Sequence, residues 1–422
     1  MKGRVSRRTV LKVGVTGASG VIAGCSQSGQ DSDGATPESG GETEPLPSTT
    51  APDLLPDDLP SSYIERDGTD FVVDGDRYVF AGVANCCLVK GYTSRTRVQD
   101  VLDGAAALGA DALRFKIGCA GSGTDCGGTV DGCYVCFQPD PGTFEETSFE
   151  HLDYVIAEAG NRGIRVILPL VDNWGRSGMD RYVVWSDTAS THDDFYTDDQ
   201  IQEWYRGFVE ALLTRENTHT GREYREDPTI LMWELANEPR YENDYEGFLE
   251  WVEETAGFIH DLDANHLVST GSDVYQDEPY EEIHAIDGID ACSIHLWPQN
   301  WGRAENAESF GTEYITDRVE RGRENVGKPV YLGEYGWRVN LQSDEAEAQL
   351  QRRTDLFQEW HDAALSADID GALAWELLSD SRLRYHREEP GEGETVGFAY
   401  PDHTDTVQEL ESFMKEIQTA GS

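Results

Sequence analysis

The feature that most constrains the fold is an alternation of short apolar runs with longer amphipathic segments, which begins at Tyr63. Such runs are typical of buried strands, and the periodicity between them is helical. Eight of these units predict a parallel sheet closed into a single (β/α)8 TIM barrel with long strand-to-helix loops. The predicted strands are residues 78–83, 112–117, 165–171, 230–234, 267–270, 291–295, 330–333 and 372–376.

Four segments between these strands have the clearest helical pattern, with apolar positions three and four residues apart and acids on the opposite face. They are residues 149–161, 200–214, 245–261 and 345–365. A hairpin is predicted ahead of the barrel, with a strand ending at Val73 and a turn at Asp74 and Gly75. Residues 63–422 are therefore expected to form one catalytic domain, with no second domain.

Charge excludes two classes of protein. The chain has 80 acidic against 33 basic residues and a formal charge of −47, so its field repels the phosphates of nucleic acids. No apolar run approaches the roughly 20 residues that cross a bilayer. The acid excess and the scarcity of lysine resemble proteins of halophilic archaea, whose surface repulsion is screened in molar salt. Ordinary acidity without adaptation to salt is the alternative.

The first residues have the pattern of an export signal. Arg7 and Arg8 precede a weakly apolar stretch, as in signals of the twin-arginine type, and Cys25 ends a lipobox-like sequence. Residues 1–24 are therefore expected to be the signal and residues 25–62, which are acidic and lack a hydrophobic period, a disordered tether. These features predict an extracellular monomer anchored to the outer face of the cytoplasmic membrane by a lipid on Cys25. A signal cut nearby without lipid is the alternative.

Seven cysteines remain beyond Cys25. Four of them lie close together in a Gly-rich stretch, which is compatible with a zinc site or with two local disulfides: Cys119, Cys126, Cys133 and Cys136. Export favours disulfides. The others are Cys86 and Cys87, at the end of a predicted strand, and Cys292, at the start of another; a pairing among them across the barrel mouth stays open.

Polar and aromatic residues follow the predicted strands, where a (β/α)8 barrel carries its chemistry. In chain order they are Asn85, Arg114, Lys116, Asp172, Asn173, Trp174, Asn237, Glu238, His295, Trp297, Glu334, Trp375 and Glu376. Glu238 and Glu334 follow strands on opposite sides of the ring. Two carboxyl groups facing each other are what glycosidic cleavage requires.

The roles of the two glutamates follow from that chemistry. Glu334 is predicted to be the nucleophile and Glu238 the acid and then the base, which retains the anomeric configuration if the carboxyl groups stand about 5–5.5 Å apart. Arg114 is expected to keep Glu334 ionised. Glu238 is expected to have a pKa raised by neighbouring negative charge and desolvation.

Three further residues at the strand ends have predicted roles. Asn237 is expected to bind the sugar 2-hydroxyl, and Trp375 to form a floor on which the sugar ring stacks. Glu234 is interpreted as a buried structural partner. A metal-dependent hydrolase would need clustered histidines, and His295 stands alone at the strand ends, so no metal and no other cofactor is predicted.

The sequence Trp-Glu-Leu-Ala-Asn-Glu-Pro-Arg at residues 233–240 resembles the acid/base signature of glycoside hydrolase family 5. Residues 164–185, 262–271, 293–301 and 328–336 are similar to segments of the endo-β-1,4-mannanases of that family. The resemblance covers nearly all of residues 63–420. It implies a retaining, endo-acting enzyme on a (β/α)8 barrel.

The resemblance also implies which residues form the active site. Six residues match the family's positions: Arg114, Asn237, Glu238, His295, Glu334 and Trp375. Asn173 and Trp174 are expected in the substrate cleft. One residue departs from the pattern, since Trp297 stands where the family usually has a tyrosine whose hydroxyl contacts the nucleophile. Trp297 then either replaces that hydroxyl as donor and stacking wall or leaves the hydrogen bonding of Glu334 altered.

The leading interpretation is an enzyme that cleaves internal β-1,4-mannosidic bonds of mannan, glucomannan or galactomannan. A cellulase of the same family is the nearest alternative, because mannose and glucose differ only in the orientation of the 2-hydroxyl. A carbohydrate-binding lipoprotein without activity is the other alternative. The presence of both Glu238 and Glu334 argues against it.

Overall fold

The computed structural model describes residues 60–86, 88–89, 94–117, 119–121, 136–175, 177–274, 279–402 and 404–420. The expected export signal, lipobox and tether lie almost wholly outside these ranges, as do Cys25, Cys87, Cys126 and Cys133. Among the described residues, no helix is both long and apolar enough to cross a membrane.

The described chain begins with a small antiparallel sheet. Its strands are β1 (Glu65–Asp67), β2 (Asp70–Val73) and β3 (Asp76–Tyr78), paired in that order. The predicted turn is confirmed: Asp74 and Gly75 have φ angles of 53° and 88°, the left-handed pair that a two-residue hairpin turn requires. The sequence did not indicate β1, because this strand is exposed and has no apolar alternation.

Eight parallel strands then form the predicted barrel. They are β4 (Phe80–Asn85), β5 (Ala112–Phe115), β6 (Arg165–Pro169), β7 (Ile230–Glu234), β8 (Leu267–Ser269), β9 (Cys292–Leu296), β10 (Val330–Tyr335) and β12 (Gly371–Trp375). Their order in the sheet is β8-β7-β6-β5-β4-β12-β10-β9. A parallel bridge between Ser269 and Ala291 joins the two edge strands and closes the ring. A separate pair, β11 (Val339–Asn340) and β13 (Glu394–Thr395), is antiparallel.

The helices are α1 (Arg95–Leu108), α2 (Glu146–Gly160), α3 (Met179–Trp185), α4 (Asp194–Thr197), α5 (Asp199–Leu213), α6 (Tyr245–Leu262), α7 (Tyr280–His284), α8 (Ala307–Arg321), α9 (Ala346–Ser366), α10 (Asp380–Glu388) and α11 (Thr404–Ala420). The four clearest predicted helices are confirmed as α2, α5, α6 and α9. A helix follows every barrel strand as predicted, and the one in the described connection after β8 is short, the five-residue α7.

The amino-terminal end of the barrel is closed by apolar side chains. Phe71 from β2 packs against Phe80 at the start of β4, with ring centroids 5.8 Å apart, and Phe80 packs against Tyr331 at 6.1 Å. All three side chains are fully buried. Because this end is filled, the opposite end, where the strands finish, is the one left for chemistry.

The cysteines are distributed over both ends of the barrel. Cys119 and Cys136 lie together in the loop after β5, with sulfur atoms 3.6 Å apart, and Cys136 is disulfide-bonded. Cys86 follows the carboxyl end of β4, whereas Cys292 is buried at the amino end of β9. A pairing of Cys292 with Cys86 across the mouth is therefore wrong, because parallel strands place the two residues at opposite ends of the barrel.

Candidate active site

The carboxyl ends of the strands bring the predicted site residues together. Arg114 lies on β5, His295 on β9, Glu334 on β10 and Trp375 at the end of β12, while Glu238 follows β7. All five are buried. The convergence results from the closed ring, because parallel strands all end at the same edge.

Arg114 is the centre of the polar network. Its Nη1 donates to Glu334 Oε1 at 2.6 Å, and its Nη2 donates to Glu234 Oε2 at 2.6 Å and to Asn237 Oδ1 at 2.9 Å. Tyr331 Oη completes the surroundings of Glu234 with a hydrogen bond of 2.7 Å to Oε1. Glu234 is therefore the buried partner that the sequence indicated, and Arg114 connects it to Glu334.

The turn that carries Glu238 has an unusual backbone. Glu238 has a φ angle of 50°, a left-handed conformation that is costly for a residue with a side chain and is concentrated at functional sites. The turn is held by neighbouring loops, since Glu238 N donates to Gly271 O at 2.8 Å. A Cβ atom at Gly271 would lie 1.9 Å from Ala236 O, so the close approach of this loop requires glycine.

Two side chains hold the carboxyl group of Glu238. Trp174 Nε1 donates to Oε2 at 2.5 Å, and His295 Nδ1 lies 2.8 Å from Oε1. Each oxygen of Glu238 therefore has a fixed partner. The sequence placed Trp174 in the substrate cleft but did not indicate that it holds Glu238.

Glu334 is held in the same way from the other side. Besides the bond from Arg114 to Oε1, Trp297 Nε1 donates to Oε2 at 3.2 Å, and His295 Nδ1 lies 3.7 Å from Oε2. Trp297 therefore supplies the donor that the resemblance assigns to tyrosine. The nearest carboxylate oxygens of Glu238 and Glu334 lie within 4.8 Å of each other.

Asn237 is oriented by two neighbours. Its Oδ1 accepts from Arg114, and its Nδ2 donates to Asp172 Oδ1 at 3.0 Å. An amide group has two N–H bonds, and among the described residues only the bond to Asp172 uses one of them. Asn173 is also buried here, and its Oδ1 has no hydrogen-bond partner among the described residues.

The pKa of Glu238 differs from the sequence-based expectation. Burial raises the pKa of this carboxyl group, but the hydrogen bond and charge of His295 lower it, as do the positive charges of Lys116 and Arg240. The result is a pKa lowered to about 2. The expected rise is wrong because the sequence did not show that cationic side chains surround this group.

The aromatic residues form one wall. The ring centroids of Trp297 and Trp375 lie 6.2 Å apart in an edge-to-face arrangement, and Lys116 Nζ lies over the Trp375 ring, 4.9 Å from its centroid. Trp375 lies at the end of its strand, as predicted, and the ammonium group of Lys116 lies over its ring.

Arg240 and Asp273 form a further pair at the site, and no role was predicted for either from the sequence. Arg240 lies over the ring of Trp174, 5.2 Å from the centroid, and forms an ion pair with the buried Asp273. Arg240 could have been suspected from its place two residues after Glu238. Asp273 follows a short strand and had no sequence signal.

Three residues could in geometric terms hold a cation. Within the described ranges, Glu238, His295 and Glu334 each offer a ligand atom, and these atoms lie within 4.8 Å of one another. The same atoms are engaged with each other and with Trp174, Arg114 and Trp297. The set therefore fits two carboxyl groups prepared for acid–base and nucleophilic chemistry.

A (β/α)8 barrel with two facing glutamates at its mouth defines a glycoside hydrolase that acts through a pair of carboxyl groups. The family model described as GH family 5 β-mannosidase-like matches residues 61–375. The chain therefore belongs to glycoside hydrolase family 5.

The chain is similar to named relatives over most of its length. It is 30% identical over 358 residues to a putative mannan endo-1,4-β-mannosidase P of Arabidopsis thaliana, covering 75% of this chain and 84% of the relative. The endo-β-1,4-mannanase of Thermotoga petrophila has a similar structure, with a TM-score of 0.70, 30% identity and coverage of 82% and 78%. The endo-1,4-β-mannanase of Rhizomucor miehei has a TM-score of 0.70, 25% identity and coverage of 84% and 100%.

The hydrogen bond from Trp297 to Glu334 gives a testable prediction. Trp297→Phe removes the donor, and a hydrogen bond to a charged group is worth about 1.5–3 kcal/mol, so we expect kcat on a soluble β-1,4-linked polysaccharide to fall about tenfold to a hundredfold. Trp297→Tyr should recover part of the loss. Trp251→Phe on α6, whose Nε1 has no hydrogen-bond partner in the described part of the chain, is the control. Equal rates for Trp297→Phe and this control would contradict the assignment.

Proposed function

We propose that this protein is an endo-acting β-1,4-mannanase that cleaves internal bonds of mannan, glucomannan or galactomannan with retention of configuration. The observation that carries the proposal is the pair of buried glutamates whose oxygens lie within 4.8 Å. This short oxygen-to-oxygen distance is compatible with direct attack by one carboxylate, as in a retaining glycosidase.

In the first step, we assign the nucleophile to Glu334. Its carboxylate attacks the anomeric carbon and forms a glycosyl ester while the bond to the leaving sugar breaks. Arg114 and Trp297 each donate to one of its oxygens, so its orientation is fixed before the substrate arrives. Such preorganisation lowers the barrier because no reordering is needed during the reaction.

Glu238 gives a proton to the leaving oxygen and later takes one from the attacking water. Trp174 Nε1 donates to Oε2 of Glu238, and His295 Nδ1 lies 2.8 Å from Oε1, so the orientation of this carboxyl group is fixed. We assign both proton transfers to Glu238 itself.

The choice of mannan over glucan rests on the relatives, which are named for action on mannan. The two sugars differ at the 2-hydroxyl, which we expect the Nδ2 group of Asn237 to contact. A site that hydrogen-bonds such a group discriminates strongly against a sugar that misplaces it. The reaction needs two carboxyl groups and water, so no cofactor is proposed.

Variants of the two glutamates test the reaction. We expect Glu334→Gln to lower kcat on glucomannan and galactomannan by several orders of magnitude with the fold intact. Glu238→Gln should affect aryl mannosides with good leaving groups much less than polysaccharide, because only poor leaving groups need the proton. Reducing-end release should be compared with carboxymethylcellulose as substrate. Faster cleavage of carboxymethylcellulose would favour a glucanase, and near-normal activity of Glu334→Gln would contradict the mechanism.

We also propose that the enzyme is exported and acts as a monomer anchored outside the cell by a lipid on Cys25. The paired Arg7 and Arg8 and the lipobox-like sequence support this proposal. We expect the full chain to sediment with membranes when expressed in its host, and Cys25→Ser to release it into the medium. Release of the unchanged chain would contradict the anchor.

Finally, we propose adaptation to high salt, which the charge of −47 supports. Self-repulsion among carboxylates is screened in molar salt and grows as the Debye length lengthens in dilute buffer. We therefore expect the unfolding temperature to fall steadily from molar to millimolar KCl. NaCl at the same ionic strength should stabilise the protein to a similar extent, because screening depends on ionic strength. An unfolding temperature that is independent of salt concentration would contradict the proposal.

A further inference from the structure

Lys116 is a cation in the cleft to which the reaction described above gives no role. It lies just beyond the end of β5 (Ala112–Phe115), two residues after Arg114. Residues two apart on a strand project to the same side, so Lys116 extends from the strand end toward the same mouth as Arg114. Its side chain is 14% exposed.

The surroundings of Lys116 are those of the catalytic groups. Its Nζ lies 4.9 Å from the centroid of the Trp375 ring and 3.6 Å from Asp172 Oδ2. Burial lowers the pKa of Lys116, but the negative charges of Asp172, Glu334 and Glu238 more than offset this and raise it. Lys116 therefore carries its charge in the working range of pH.

The described residues leave hydrogen-bond donors of the Lys116 ammonium group unused. An ammonium has three donors, and within the ranges that the structure describes Lys116 has an ion pair and a ring contact but no hydrogen bond. The buried Lys328 is different, since its Nζ donates to the backbone carbonyls of His284 at 2.6 Å and Ile286 at 3.0 Å. The ammonium group of Lys328 therefore has a structural role, whereas the ammonium group of Lys116 has donors with which it can bind a ligand.

We propose that Lys116 is a substrate-contacting residue, which donates hydrogen bonds to hydroxyl oxygens of the sugar bound beside Glu334 and Trp375. The inference rests on the proposed function and deepens it. A sugar hydroxyl accepts through its oxygen, and an ammonium donates but cannot accept. Lys116 thus complements Trp375, which offers an apolar ring, and the second N–H of Asn237.

A purely structural role is the competing explanation. Lys116 could act through Asp172, which accepts from Asn237 Nδ2 at 3.0 Å and from Trp174 N at 3.2 Å. In that case Lys116 would be a positioning residue. Its loss would then matter only while Asp172 keeps its charge.

A double-mutant cycle separates the two roles. Lys116→Met keeps the length of the side chain and removes charge and donors, whereas Lys116→Gln keeps a donor without charge. Asp172→Asn removes the ion pair but retains an oxygen that accepts from Asn237. Lys415→Met on the exposed face of α11 is the matched control. Each variant is made in the full chain and assayed in molar KCl for kcat and KM on mannohexaose over a range of pH.

The charge of Lys116 also lowers the pKa of Glu238, so each variant is compared at its own pH optimum. There we expect Lys116→Met to lower kcat/KM about tenfold to a hundredfold, as for lost hydrogen bonds from a charged donor. Lys116→Gln should recover part of the loss. Lys116→Met should lower kcat/KM by the same factor whether residue 172 is Asp or Asn. If Lys116→Met has no effect on kcat/KM in the Asp172→Asn background, or only displaces the pH profile, the proposal that Lys116 contacts the substrate is wrong.

The outcome is distinguishable from failure of the proposed function. If the unmutated protein and Lys415→Met do not cleave mannohexaose at all, the mannanase proposal fails. If both cleave it and Lys116→Met cleaves it equally well with unchanged KM, only the inference about Lys116 fails. Thermal unfolding of Lys116→Met shows whether its fold is intact, and Lys116→Gln provides the same test should the methionine variant not fold.

Discussion

The ion pairs of the fully buried Arg114 are the interaction on which the site depends. A buried guanidinium is costly unless its donors are satisfied, and removing one partner from such a group typically costs about 3–5 kcal/mol. Glu234 on β7, Asn237 in the turn after β7 and Glu334 on β10 satisfy it. The same bonds therefore fix the carboxylate of Glu334, the proposed nucleophile, and the amide of Asn237. One network of hydrogen bonds around Arg114 therefore serves both the stability of the fold and the geometry of the site.

The second constraint is the turn after β7. It places Glu238 in a left-handed conformation, φ 50°, and sends its carboxyl group toward Trp174 and His295 rather than along the strand. The turn is supported by the close approach of Gly271. Because β7 and β10 end at the same edge of a closed ring, this strained turn brings Glu238 within reach of Glu334. The barrel places both glutamates at the carboxyl ends of its strands, and the turn sets the distance between their carboxylates.

Much of the fold could be predicted from the sequence, because the spacing of apolar residues indicates which side of each helix or strand is buried. All eight barrel strands and four main helices were found, and the two glutamates stand out by following apolar runs. The exposed β1 had no apolar pattern. The lowered pKa of Glu238 could not be predicted, since it depends first on His295 and then on Lys116, which other strands bring to it. The roles of Asp273 and Tyr331 could not be predicted either, because their partners Arg240 and Glu234 lie far away in the sequence.

The central claim is that Glu238 and Glu334 are close enough for direct attack and hence for retention. The most direct test is proton NMR of the anomeric signals during the first minutes of mannohexaose cleavage, before mutarotation. We predict that the newly formed reducing ends appear first as the β-anomer and convert slowly to the equilibrium mixture. Initial appearance of the α-anomer would mean inversion, and would contradict both the geometry of the site and the role assigned to Glu334.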